Sequence, residues 1–141
     1  AKERADGFVE DLCRLSPVVV FSAAIPGQGG THHVNEQWPD YWIPKFRSQG
    51  FKLFDCLRHL IWENREVAWW YAQNILVFVR ADQAERFKEL ADKCRGLPVN
   101  LVHPRAYLAA TVPSEMSPRM LREVVRALPY FPGKILRHFT R

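Results

Sequence analysis

The sequence predicts an α/β fold: a sheet of one parallel strand and an antiparallel pair, with flanking helices and an α-helical C-terminal extension. Three observations predict it. The apolar run over 18–24 is β-branched at its start and too short for a membrane span, so it reads as a fully buried strand of a parallel sheet. A glycine-rich loop, Gly27-Gln28-Gly29-Gly30, comes after that strand and leads into a helix. Two further apolar stretches, 51–62 and 69–79, are separated by a short polar loop and are most simply an antiparallel pair.

Taken in order, residues 2–15 fit an amphipathic helix with Phe8, Val9, Leu12, Cys13 and Leu15 on one broad face. Ser16-Pro17 stops it, because the residue before proline avoids the helical region. The strand and glycine loop come next, then a second helix starting near Asn35 or Trp38 with Pro39 in its first turn. Pro44 predicts a kink or two helical pieces, since an interior proline costs ~3 kcal/mol. Gly50 is the expected C-terminal cap. Ala84, Phe87, Leu90, Ala91 and Cys94 predict a helix over 82–94, stopped by Gly96. Pro98, Pro104, Pro113 and Pro118 break the remaining chain into short pieces, and 118–128 reads as a last helix with Ser117 as N-cap. The expected organisation is an α/β domain over 1–80 and a helical, proline-broken basic extension over 81–141.

At 141 residues, with 48% hydrophobic and 13% aromatic content, the chain has the composition of one globular core and not of a disordered segment. No apolar run approaches the ~20 residues of a membrane helix, and the charged start AKERADGF does not resemble a signal peptide. Absence of an initial Met, and a start in mid-domain, predict a piece of a longer protein. Cys13, Cys56 and Cys94 are odd in number and widely spaced, which predicts free thiols in a reducing cytoplasm. From Leu97 onward, Arg105, Arg119, Arg122, Arg126, Lys134, Arg137 and Arg141 face only Glu115 and Glu123. A basic tail can touch nucleic acid, but no pattern of stacking aromatics accompanies it, so nucleic-acid binding ranks third among the readings.

The stretch PVVVFSAAIPGQGGTHHVNEQWPDYW resembles the fifth strand, following loop and helix of class I S-adenosylmethionine-dependent methyltransferases. It is closest to a bacterial group with GQGGTHHVNEQW in that position. GFKLFDCLRHLIW and WWYAQNILVFV resemble the last two strands of the same Rossmann-like fold. The resemblance covers roughly residues 5–80 and implies the spatial order 18–23, then 69–79 in the middle, then 51–62 at the edge. It does not include the family's cofactor cradle, a glycine-rich turn after the first strand. The implied chain is the C-terminal, substrate-side portion of a methyltransferase acting on a small molecule such as a sugar or other metabolite. S-adenosylmethionine belongs to the parent enzyme, and none is expected on this chain alone.

In open α/β sheets, ligands bind outside the carboxyl ends of the strands, which makes the loop after residue 24 the leading site. It carries Thr31, His32, His33, Asn35 and Glu36, followed by Trp38, Tyr41 and Trp42. GQGG is not a dinucleotide fingerprint, because His32 stands at the third glycine position, and no Gly-Lys-Ser/Thr makes it a P-loop. Its glycines Gly27, Gly29 and Gly30 predict unusual backbone angles. Adjacent histidines of an extended segment point opposite ways, and no H-x-x-x-H pattern exists, so no metal is expected.

On the resemblance, His32 and His33 are the catalytic candidates, taking a proton from a hydroxyl or amine as the methyl group arrives. Thr31, Asn35, Glu36, Trp38 and Trp42 are the substrate-binding candidates, the tryptophans with Tyr41 forming an aromatic wall. The plainer alternative is a helix-capping segment with solvated histidines. Arg58, His59, Trp69, Trp70, Tyr71, Gln73 and Asn74 read mostly as sheet-edge packing, with Gln73 and Asn74 expected to hydrogen-bond the glycine loop. A rival function is a non-catalytic interaction module, since the bared edge of 18–23 invites pairing or dimerisation.

Overall fold

The structure, a computed structural model, describes residues 2–93 and 98–111. Among these residues it is a mixed α/β unit in which helices cover a small, entirely antiparallel sheet. Strands β1 (Val18–Ser22), β2 (Phe51–Phe54) and β3 (Ile75–Arg80) lie in the order β1-β3-β2. The order matches the expectation. Val20 faces Val77 and Phe21 faces Leu76 across one pair, while Leu53 faces Phe78 across the other.

Helices α1 (Ala5–Leu15) and α2 (Pro39–Ser48) pack on one face of this sheet. Val9, Trp42 and Phe46 meet Val19, Phe21, Phe51, Leu76 and Phe78 there. Phe46 stacks on Phe78 with ring centroids 3.8 Å apart, and Phe21 meets Phe46 and Trp42 at steep angles. Aromatic pairs of this kind add about 0.5–1.5 kcal/mol each beyond area burial. The opposite face holds Phe54, Cys56, Val77 and Val79 under Ala84, Phe87, Leu90 and Ala91.

Four local expectations are corrected. First, β1 is not a fully buried parallel strand: both its ladder and its burial are those of an antiparallel edge, with Val19 and Phe21 inside and Val20 59% exposed. Alternation of this kind arises when only one face is covered.

Second and third, the strands expected over 51–62 and 69–79 are each half helix. Chain that has no ladder partner must satisfy its backbone locally, and the shortest way is a helix. Beyond Phe54 the chain therefore turns into α3 (Leu57–Ile61), and before Ile75 it forms α4 (Trp69–Asn74). Fourth, in place of the single helix expected over 82–94 there is a 3₁₀ segment, Ala81–Phe87, followed by α5 (Lys88–Lys93).

At the helix ends two details agree with the sequence, and two prolines depart from it. Ser16 is extended and its Oγ accepts a bond from the Val18 N–H. Gly50, with φ +78°, caps α2 as its N–H donates to the Arg47 carbonyl. Pro44 does not split α2, which runs through it. Pro104, expected to break the chain, opens α6 (Pro104–Thr111), in keeping with proline at a first helical position.

The compact unit around the sheet extends to Leu108, past the composition boundary at residue 80. The helix expected over 118–128, Cys94 and most of the basic extension lie outside the described residues. Cys13 is a free thiol, pushed up by burial, and Cys56 is buried against the second core cluster. No helix among the described residues is long and apolar enough to cross a membrane.

Candidate functional site

The chain leaves β1 and returns to one point: the Gln37 N–H donates to the Ala24 carbonyl at 3.0 Å. Residues 25–36 are thereby closed into a compact surface loop of the kind that carries function on many folds. Three glycines shape it, Gly27, Gly29 and Gly30, all with positive φ. Among the described residues His32 is the one non-glycine in that region, at φ 61°. A left-handed non-glycine residue marks a backbone held by its surroundings, and such residues concentrate at binding and catalytic loops.

Glu36 organises the loop. One carboxylate oxygen accepts from the Gly27 N–H at 2.9 Å, and the other contacts His33 Nδ1 at 2.9 Å. The hydrogen bond from His33 is the main reason the Glu36 carboxyl sits below the usual carboxylate range; the Gly27 amide adds to it, against a partial desolvation. An ionised carboxylate only accepts, so His33 donates from Nδ1, and in the neutral ring the Nε2 lone pair is free. The ring of His33 lies against Gly30: a Cβ on that glycine would meet the imidazole at 2.5 Å. Gly30 is thus both the turn and the seat of the histidine.

Underneath, Gln28 anchors the loop to α4. Its Oε1 accepts from Gln73 Nε2 at 3.0 Å and Asn74 Nδ2 at 2.7 Å. The expectation that Gln73 and Asn74 hold the glycine loop is met, from a helix and not from a strand. Gln73 Oε1 in turn accepts from the His103 N–H, and His103 Nε2 lies 2.9 Å from the Trp62 carbonyl. Arg58, fully buried, pairs with Asp55 and donates to the Gln73 carbonyl at 3.1 Å. A chain of polar contacts therefore runs from the sheet end through α4 to the loop.

A cavity of about 480 Å³ opens at the C-terminal end of β1, its walls including Arg4, Ser22, His32, His33, Asn35 and Trp42. This is within the range of small-molecule pockets, about 300–1,000 Å³. Trp42 Nε1 is buried without an acceptor among the described residues. Of the expected site residues, His32, His33, Asn35, Glu36 and Trp42 are brought together here. Thr31 and Trp38 do not line the cavity. Trp42 serves as floor and core rather than as an open wall, and Tyr41 lies under the Lys45 ammonium at 4.6 Å.

Sequence reasoning did not place Gln28, Arg4 or Ser22 at the site. A glutamine between glycines carries no signal of its own, and Arg4 joins the site only because α1 packs beside β1. Among the described residues no group of three or more His, Cys, Asp or Glu is placed to hold a metal ion. The glycine turn itself is not shaped as a cofactor cradle: its Gly27 donor is taken by Glu36, and His33 covers Gly30. No family model matches the chain, and no curated protein or solved structure is found to be similar to it.

The arrangement can accept a proton. A hydroxyl or amine hydrogen-bonded to His33 Nε2 can pass its proton there, and Glu36 stabilises the imidazolium through Nδ1–H. Asn35 Oδ1 accepts from the Gln37 side-chain amide at 3.2 Å, which fixes its direction in the loop.

Proposed function

We propose that this chain is the substrate-side portion of an S-adenosylmethionine-dependent methyltransferase that modifies a hydroxyl or amine of a small molecule. The observation that carries the reading is the Glu36–His33 pair, with Nδ1 engaged and Nε2 free, between cavities at the C-terminal end of β1. The resemblance of 17–42 to the fifth strand and loop of that family, and the β1-β3-β2 order it implies, support it. The glycine turn offers no open cradle, its Gly27 donor being taken by Glu36, and on this reading the cofactor would be held by residues outside that turn. This chain's part is to bind the acceptor, orient it and hold its proton on Nε2. Orientation of this kind accounts for much of the barrier lowering in displacement reactions.

Calorimetric titration of S-adenosylhomocysteine into this chain, and into a version extended upstream of Ala1, tests the reading. Binding by the extended version alone is expected. Binding by neither would overturn it, and binding by the short chain would place a cofactor site on the described residues.

A second reading, an interaction module, is favoured by one observation. Strand β1 is an edge, and Val20 and Leu15 are exposed beside it, at 59% and 81%. Exposed apolar edges invite strand pairing. Sedimentation equilibrium of the chain and of Val20→Lys separates the readings: a dimer lost in the variant would favour the module.

A further inference from the structure

A second cleft, of about 350 Å³, also borders His33 and is lined by Gln28, Gly29, Gly30, His33, Trp69 and Trp70. We infer that it is a subsite for a neutral sugar ring, a pyranose, that presents one hydroxyl to His33 Nε2. The binding half of this inference stands on the cleft alone; its catalytic half rests on the methyl-transfer reading.

The walls argue for the ligand. Trp69 and Trp70 meet at 80° with centroids 5.6 Å apart, and Trp70 is 46% exposed. Indole rings offer large apolar faces at low conformational cost and keep a polar N–H at the rim. Two rings at a right angle make a corner and not a slot. A flat aromatic ligand is best held between parallel faces, whereas a puckered ring with axial C–H groups can touch both faces of a corner.

The opposite wall is glycine backbone, where no side chain keeps a ligand's hydroxyls from peptide groups. None of the six lining residues carries a fixed charge, which disfavours a phosphate-bearing or strongly ionic ligand. His33 is common to both cavities, so a ring in this cleft shares it with the imidazole that Glu36 holds.

The cleft is also preformed. Its two walls, the glycine loop and α4, are joined beneath the opening by the bonds of Gln28 to Gln73 and Asn74. A binding surface fixed before the ligand arrives avoids the ordering penalty of association. Trp70, exposed on a wall so firmly pinned, does not serve the core, since Ala72, Gln73 and Asn74 are the buried residues of α4.

Ligand-observed saturation-transfer NMR on the 141-residue chain tests this, using the methyl pyranosides of glucose, galactose and mannose, with phenol and adenosine as comparators. Saturable contact with at least one pyranoside is expected, weakened about tenfold or more by Trp70→Ala and unchanged by Leu60→Ala, an exposed residue that lines neither cavity. Thermal melts establish that both variants are folded. No pyranoside contact, equal contact in Trp70→Ala, or contact with phenol or adenosine alone would overturn the inference. Cofactor binding by the extended chain with no sugar contact would leave methyl transfer standing without this subsite. Sugar contact with no cofactor binding would leave the subsite standing without methyl transfer.

Discussion

Gln28 Oε1 and Gln73 Nε2, 45 residues apart in the chain, meet at 3.0 Å and tie the loop at the end of β1 to α4. The same oxygen also accepts from Asn74 Nδ2 and, at 3.4 Å, from the Ile25 N–H. Gln28→Ala would leave a buried Asn74 amide without this acceptor, and an unsatisfied buried donor costs about 1–3 kcal/mol. Chemical denaturation should show a loss of that size, with Gln28→Glu, which keeps the oxygen, losing less. Equal stability of Gln28→Ala and the parent would mean that the loop is not anchored this way.

Gly30→Ala brings a methyl group to the His33 ring and forces φ +133° on a residue with a side chain. Strain of this type costs about 1–3 kcal/mol. The His33 imidazole resonances should move and its contact with Glu36 should be lost, while the core resonances of Phe46 and Phe78 stay in place.

The depressed pKa of Glu36 fixes a direction for pH dependence. A carboxyl whose folded value lies below its unfolded one contributes stability that is fully present above the ordinary value of 4.5. That contribution disappears as pH falls through the lower, folded value. Stability of the parent minus that of Glu36→Gln should therefore be constant at neutral pH and shrink only in acid, below the ordinary carboxylate range. A difference that shrinks between about pH 8 and pH 6, the range of an ordinary histidine, would instead show that Glu36 is not the group concerned.

Asp55→Ala should be the most damaging single change in the polar network. It strands Arg58, whose side chain is fully buried, and breaking a buried pair costs about 3–5 kcal/mol. Replacing both residues, Asp55→Ala with Arg58→Met, should recover part of the loss in urea denaturation. A double variant as unstable as the single one would contradict a penalty from the uncompensated charge.

Much of this architecture is legible in the sequence where the physics is local. Ser16-Pro17 ends α1, Gly50 caps α2 and the polar loop after β1 gathers the histidines, because each signal acts within a few residues. The strand order is implied by the resemblance and agrees with the sheet. Tertiary facts are not legible. Apolar content alone does not distinguish WWYAQN as helix from strand, and the decision rests on how far β1 and β2 reach along β3. Val18 to Ala24 likewise reads as buried on both sides, yet on the face of β1 away from α1 and α2 only Val18 packs against the core, and Val20 is left outside. The role of Trp69 and Trp70 depends on α4 facing the glycine loop, which no short-range pattern encodes.

Proton acceptance at this site depends on which nitrogen of His33 carries the proton. ¹⁵N NMR of the imidazole, recorded on the folded chain where the ring is neutral, reads this directly. Nδ1–H with an unprotonated Nε2 is the predicted tautomer, reverting in Glu36→Gln toward the Nε2–H form that free histidine prefers. Nε2–H in the parent chain would contradict it, since Nε2 would then be unable to take a proton from the proposed substrate.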